Sequence, residues 1–278
     1  MASIELNLFR VKFIRPTQKI LFPDNKTSSE IFREAISEKP SSEIRKDCIW
    51  HIGNIETIDA DGGSFAVGRT TTTTLATYHD ESRNFVEESF EDSPYTLCLY
   101  DSRIGFIAIA KKSKLASTTS DIAKKVKKLL DKTKIVLRNK IDVRIDPISD
   151  PDGFIKKLMS AYSIKRFTAS FTGPNPFDAD ELFQKPISVY CQAINGENGR
   201  VVTKGKSLDA EVATKVTKSV AATGNEASAN IIESHGERAK NVHLSGDPAK
   251  KIFDEDDFQA AEALAAMRNE YKKIREMT

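Results

Sequence analysis

The sequence predicts an α+β protein: an antiparallel β-sheet domain carrying a basic amphipathic helix, then a second α+β domain of split β-α-β-like units, closed by a C-terminal helix. Three observations lead there. Up to about residue 110, short apolar/polar alternations recur between turn residues, the pattern of half-buried strands. Around 119–130 the apolar period changes from two to 3.6. From about 141 onward, strand-like and helix-like runs take turns, as in packed layers of both kinds. A chain of 278 residues is long enough for two domains, expected at 1–140 and 141–278.

In order, SIELNLFRVKFI (3–14) alternates like a half-buried strand, and SSEIFREAISEK (28–39) reads as a helix capped by serine with Glu30. Two alternating runs in 48–79 flank DADGG, whose Asp and Gly residues suit a hairpin turn. The five threonines Thr70 to Thr74 extend the second run as exposed strand, because β-branched residues favour the extended state. ESRNFVEESF (81–90) is acidic and reads as a loop or single helix. YTLCLYDSRIGFIAIA gives a further hairpin over 95–110, for about five strands in all.

A helix follows: STTSD supplies the cap, Asp121 sits in the first turn, and Ile122, Val126, Leu129 and Leu130 form one stripe. KIDVRIDPI, the Pro-initiated DPDGFIKKLMSAYSI and RFTASFTG read together as a β-α-β unit. PNPFDADELFQKP (174–186) reads as Pro-rich connecting chain, and ISVYCQAI with VVTKGK flank a NGENG turn as strands. SLDAEVATKVTKSVAA is a capped helix, and NEASANIIES with RAKNVHL form a last hairpin. The closing helix is expected over about 254–277, with acids first and bases last to match its dipole. Its alanine-rich stripe suits docking on its own domain or pairing with a second copy.

With 39% hydrophobic and 29% charged residues, the composition is that of a water-soluble globular chain. No apolar run approaches the roughly 18 residues needed to span a bilayer, and the N-terminal stretch alternates in place of a signal-peptide block. Cys48, Cys98 and Cys191 are far apart and odd in number, which argues against a disulfide framework and for a reducing cytoplasm.

Catalytic signatures are missing from the sequence. His51, His79, His235 and His243 stand at no metal-ligand spacing, so no metal is expected. Neither a phosphate-binding G-x-x-x-x-G-K-[ST] nor a strand-anchored G-x-G-x-x-G occurs, and no cofactor is expected. The DEDD run at 254–257 reads as a helix-start feature, and no G-x-S-x-G or Cys-His arrangement marks a nucleophile.

Charge is what the sequence concentrates. Residues 111–140 hold ten lysines and one arginine against Asp121 and Asp131, while the rest of the chain has 31 basic and 38 acidic residues. On the helix, Lys124, Lys125, Lys127 and Lys128 fan opposite the apolar stripe. Lys111, Lys112 and Lys114 precede it, and Lys132, Lys134, Arg138 and Lys140 follow. A merely solvated helix would alternate acids and bases, and like charges four apart repel by a few tenths of a kcal/mol. The expected use is contact with the phosphate backbone of nucleic acid, DNA favoured, without sequence preference, since one arginine offers little bidentate base reading. An acidic protein partner, with the chain as adaptor subunit, is the reading from another class. A third is a ferredoxin-like RNA-binding protein whose Phe167 and Phe171 stack on bases. An anionic membrane surface is a disfavoured partner because the helix's apolar stripe lacks Trp and Phe and is needed for the core, and no direct membrane insertion is expected.

The stretch YTLCLYDSRIGFIAIAKKSKLASTTSDIAKKVKKLL, and VRIDPI after it, resemble the RexA-like phage-exclusion family in a strand, a short turn, IGF followed by Ala, TTSD and an amphipathic helix. About 50 residues take part. Ile104, Gly105, Phe106, Thr118, Thr119, Ser120 and Asp121 carry the match. The resemblance implies a cytoplasmic two-domain homodimer that binds DNA without sequence preference and acts in bacterial anti-phage defence, sometimes beside a membrane partner.

Overall fold

Strand β1 (Ser3–Ile14) organises the larger of two sheets, because both of its edges and both of its faces are used. The computed structural model describes residues 3–15, 26–172 and 180–276. Along one edge β1 pairs with β7 (Phe106–Ala110). Two distant segments share the other: β8 (Asp142–Pro147) faces Phe9 to Ile14, and β13 (Lys250–Asp254) faces Ser3 to Asn7. Beyond β7 come β6 (Tyr95–Asp101), β4 (Gly62–His79), β3 (Cys48–Thr57) and β2 (Ser41–Arg45), while β5 (Asn84–Asp92) pairs with the far half of β4. All of these pairings are antiparallel. The sheet thus has nine strands in place of about five.

The half-buried reading of β1 is also corrected. Its odd residues Phe9, Val11 and Phe13 enter a core with α1 (Ser28–Ser37), α2 (Thr119–Leu130) and α3 (Lys134–Arg138). Its even residues Leu6 and Leu8 enter a second core with α7 (Ala260–Glu276) through Leu264, Met267, Tyr271 and Ile274. Helices on both sides leave no solvent face, so Arg10 and Lys12 are buried too. The Arg10 guanidinium stands 5.9 Å from the Tyr271 ring centre and donates to its hydroxyl at 3.4 Å. The Lys12 ammonium donates to the Thr172 carbonyl at 3.2 Å.

The second sheet runs β10 (Asn198–Lys204), β9 (Ser163–Thr172), β11 (Ala227–Ile232), β12 (Lys240–His243), again antiparallel. One face packs Phe167, Ala169, Ala229 and Ile231 against α4 (Asp152–Ser160) and α6 (Ala210–Ala222), which contribute Phe154, Leu158, Val216 and Val220. Gly224 lies where this unit meets the first sheet. Its φ of +66° is the left-handed helix-ending conformation, and a Cβ there would stand 2.8 Å from Asp146 Cβ and 3.2 Å from Arg10 Cβ.

The α+β class and the C-terminal helix stand as expected, and several elements do not. Residues 81–90 are not a loop or helix: most of them form β5, which matches the threonine run residue for residue, from Thr71 opposite Asp92 to His79 opposite Asn84. ISVYCQAI is not a strand: it lies in α5 (Gln184–Ala193), which opens after Asp180 accepts from the backbone N–H of Phe183 and buries Gln184, Ser188 and Cys191 at helical spacing. The two strands taken as one β-α-β unit, β8 and β9, belong to different sheets, because β8 fills the open edge of β1. Residues 250–254 are strand, and the last helix begins at Ala260. The first part of the Pro-rich connection at 174–186, up to 179, lies outside the described residues.

Candidate nucleic-acid interface

Helix α2 forms because its sequence signals agree. Thr118 is the N-cap, its hydroxyl accepting from the Asp121 N–H at 3.1 Å, and Ile122, Ala123, Val126, Leu129 and Leu130 are all buried. These residues lie across β3, β7 and β8, so the opposite side of the helix faces solvent. Helical geometry places Lys124 and Lys128 at the centre of that outer side, with Lys125 and Lys127 on its two flanks.

The two acids of the segment sit on the same outer side and engage two of the four lysines. Lys124 pairs with Asp121 at 3.1 Å and Lys127 with Asp131 at 2.7 Å. The Thr118 hydroxyl and Lys124 together hold the Asp121 carboxyl below the usual carboxylate range. Lys125 stands 5.9 Å from the Trp50 ring centre, and Lys132 donates to the Ser42 hydroxyl. Both acids of the segment are thus used in ion pairs on the basic face.

The other predicted cations surround this helix. Lys111, Lys112 and Lys114 are exposed on the loop entering it, tied to the sheet by the Lys111 N–H donating to the Glu5 carbonyl and by Arg69 donating to the Lys114 carbonyl at 3.3 Å. Lys134, Arg138 and Lys140 are exposed on and after α3, whose first N–H groups donate to Glu38 at 2.7 and 3.0 Å. Lys112, Lys114, Lys128, Lys134, Arg138 and Lys140 have no carboxylate partner among the described residues. Between β2 and the end of α2, Ser42, Glu43, Lys128, Asp131 and Lys132 line a shallow hollow of about 320 Å³.

Phe167 and Phe171 do not form a stacking platform: both side chains are buried, 7% and 1% exposed. The other face of their sheet carries Arg166, Thr168 and Ser170 with Arg200, Lys204, Asn230 and His243, a polar surface that sequence reading missed. Its period-two alternation with the phenylalanines was the available signal. A polar hollow of about 460 Å³ adjoins it, lined by Asp146, Arg200, Asn225 and His243, where burial pushes the Asp146 carboxyl above its ordinary value. Among the described residues, no three His, Cys, Asp or Glu side chains are grouped to hold a metal, and no helix is long and apolar enough to cross a membrane.

The family described as "Domain of unknown function (DUF4747)" matches residues 23–272, and the chain belongs to it. No curated protein matches the chain.

Proposed function

We propose that this chain of the DUF4747 family binds the sugar-phosphate backbone of nucleic acid, DNA favoured, through the outer side of α2 and the cationic segments at its two ends. The observation that carries the proposal is the run of cations without carboxylate partners, Lys112, Lys114, Lys128, Lys134, Arg138 and Lys140, in a segment whose apolar side is fixed to the sheet. A 12-residue helix extends roughly 18 Å, about five base-pair steps of duplex, so both ends reach phosphates of one duplex face. The ion pairs Lys124–Asp121 and Lys127–Asp131 lower the cation count available on the helix, so the flanking segments supply most of the attraction. Lysine acts here as a point charge, which suits backbone contact over base reading.

The resemblance of 95–130 to the phage-exclusion family supports placing this activity in cytoplasmic anti-phage defence. Mobility shift at two salt concentrations with duplex DNA, single strands and RNA tests the binding. Neutralising about four to six phosphates gives a log–log salt slope near −4 to −5. The K112E/K114E/K128E/R138E variant should lose the shift at low salt. An unchanged shift, or one without salt dependence, would discard this surface; co-purification of an acidic protein with no shift would favour the adaptor reading.

A further inference from the structure

Strand β4 outruns its sheet. It pairs with β6 as far as Gly68 and with β3 as far as Thr71, but residues 72–79 have β5 alone as a partner. The result is a two-stranded arm about 25 Å long. Among the described residues β5 packs substantially on no element but β4. A lone two-stranded ribbon is marginal in water, and its outer edges carry unpaired backbone groups.

The arm is nevertheless furnished with large apolar side chains. Phe85 is 78% exposed, Leu75 and Tyr78 are 51% exposed, and Phe90 is 44% exposed. Opposite residues share a face, so Tyr78 and Phe85 stand on one side, their ring centres 5.1 Å apart, and Leu75, Val86 and Phe90 on the other. Apolar residues gathered in this way mark a surface that another molecule covers. Interleaved with them are Asp80, Glu81, Glu87, Glu88, Glu91 and Asp92 against the single Arg83, a net charge of −5 over 71–92.

A surface of opposite sign lies on the same chain. Residues 111–140 carry a net +9, and their entry loop adjoins the base of the arm through the Arg69 contact to Lys114. We propose that the arm docks on a second copy of this chain, its aromatic residues covered and its carboxylates facing the partner's basic segment around α2. A two-fold axis near the arm base makes the contact reciprocal, so both arms are covered at once, and the dimer competes with nucleic acid for the basic surface that the proposed function uses. Arm-to-arm pairing would oppose two ribbons of net −5 and is disfavoured by repulsion.

Self-association is followed by sedimentation of the full chain without nucleic acid, so its outcome is read separately from that of the mobility shift. At about 0.01 M salt, where charges act over roughly 30 Å, a dimer is expected, weakening toward 1 M salt, where they act over about 3 Å. Y78S/F85S should weaken association by about thirtyfold, the effect of losing an interface hot spot. E87K/E91K, on the face of Tyr78 and Phe85, and K124E/K128E should each weaken it, and their combination should restore the dimer. A monomer under all conditions, or a dimer indifferent to Y78S/F85S, overturns the proposal. So does a charge-swapped combination that stays monomeric while retaining the wild-type circular dichroism spectrum.

Discussion

Arg268 shows how one side chain ties the C-terminal helix to the main sheet. Its Nε donates to Asp101 at 2.6 Å, and its two terminal nitrogens donate to Asp59. Asp101 is fully buried and also accepts the Ile104 N–H at 2.7 Å. Gly62 permits this approach, since a Cβ there would stand 2.8 Å from the guanidinium. The Arg268 hydrogen bonds hold the Asp59 carboxyl well below the usual carboxylate range. Because that folded pKa is depressed, the stabilisation is present above the ordinary carboxylate pKa near 4 and is lost as pH falls below it. R268M leaves the Asp101 carboxylate buried without its cation and should cost about 3–5 kcal/mol at neutral pH in urea denaturation. The deficit should shrink as pH falls below about 4, because the wild type then progressively loses the contribution of its Asp59–Arg268 pair. A deficit independent of pH would show that Arg268 acts through packing alone.

Among the elements, α2 was legible because cap, dipole and apolar stripe agree over 12 residues. T118A removes the cap bond and should cost about 1 kcal/mol of stability in chemical denaturation, with little change if the Asp121 turn closes without it. β5 was illegible for a physical reason: both of its faces are largely exposed, so burial imposed no alternation on the sequence. In α5 a β-branched and aromatic composition concealed the helical spacing of its buried residues, and the start signal, Asp180, lay in what read as connecting chain. The pairing of β8 with β1 was beyond sequence reading, since an apolar strand does not state which open edge it will fill. For the candidate site, the cations and their outward presentation around α2 were legible. That Lys124 and Lys127 are tied to Asp121 and Asp131 needed the geometry, because several lysines lie within reach of each acid.

For the whole molecule, the expected division at 140/141 does not coincide with a change of sheet. β8, β13 and α7 all lie beyond residue 140 and complete the sheet formed before it. A fragment of residues 1–140 lacks both strands of one β1 edge and the helix over one face. It should show no cooperative thermal transition by circular dichroism; a sharp transition would establish the first 140 residues as an independent domain. The same closure fixes the order of events at the ribosome. β1 leaves the exit tunnel well before its partner, and the edge from Ser3 to Asn7 waits for the strand ending at Asp254. At about 5–20 residues per second that interval is roughly 12 to 50 s. Throughout it the backbone groups along that edge of the nascent strand stay unpaired, exposed to any other strand they meet.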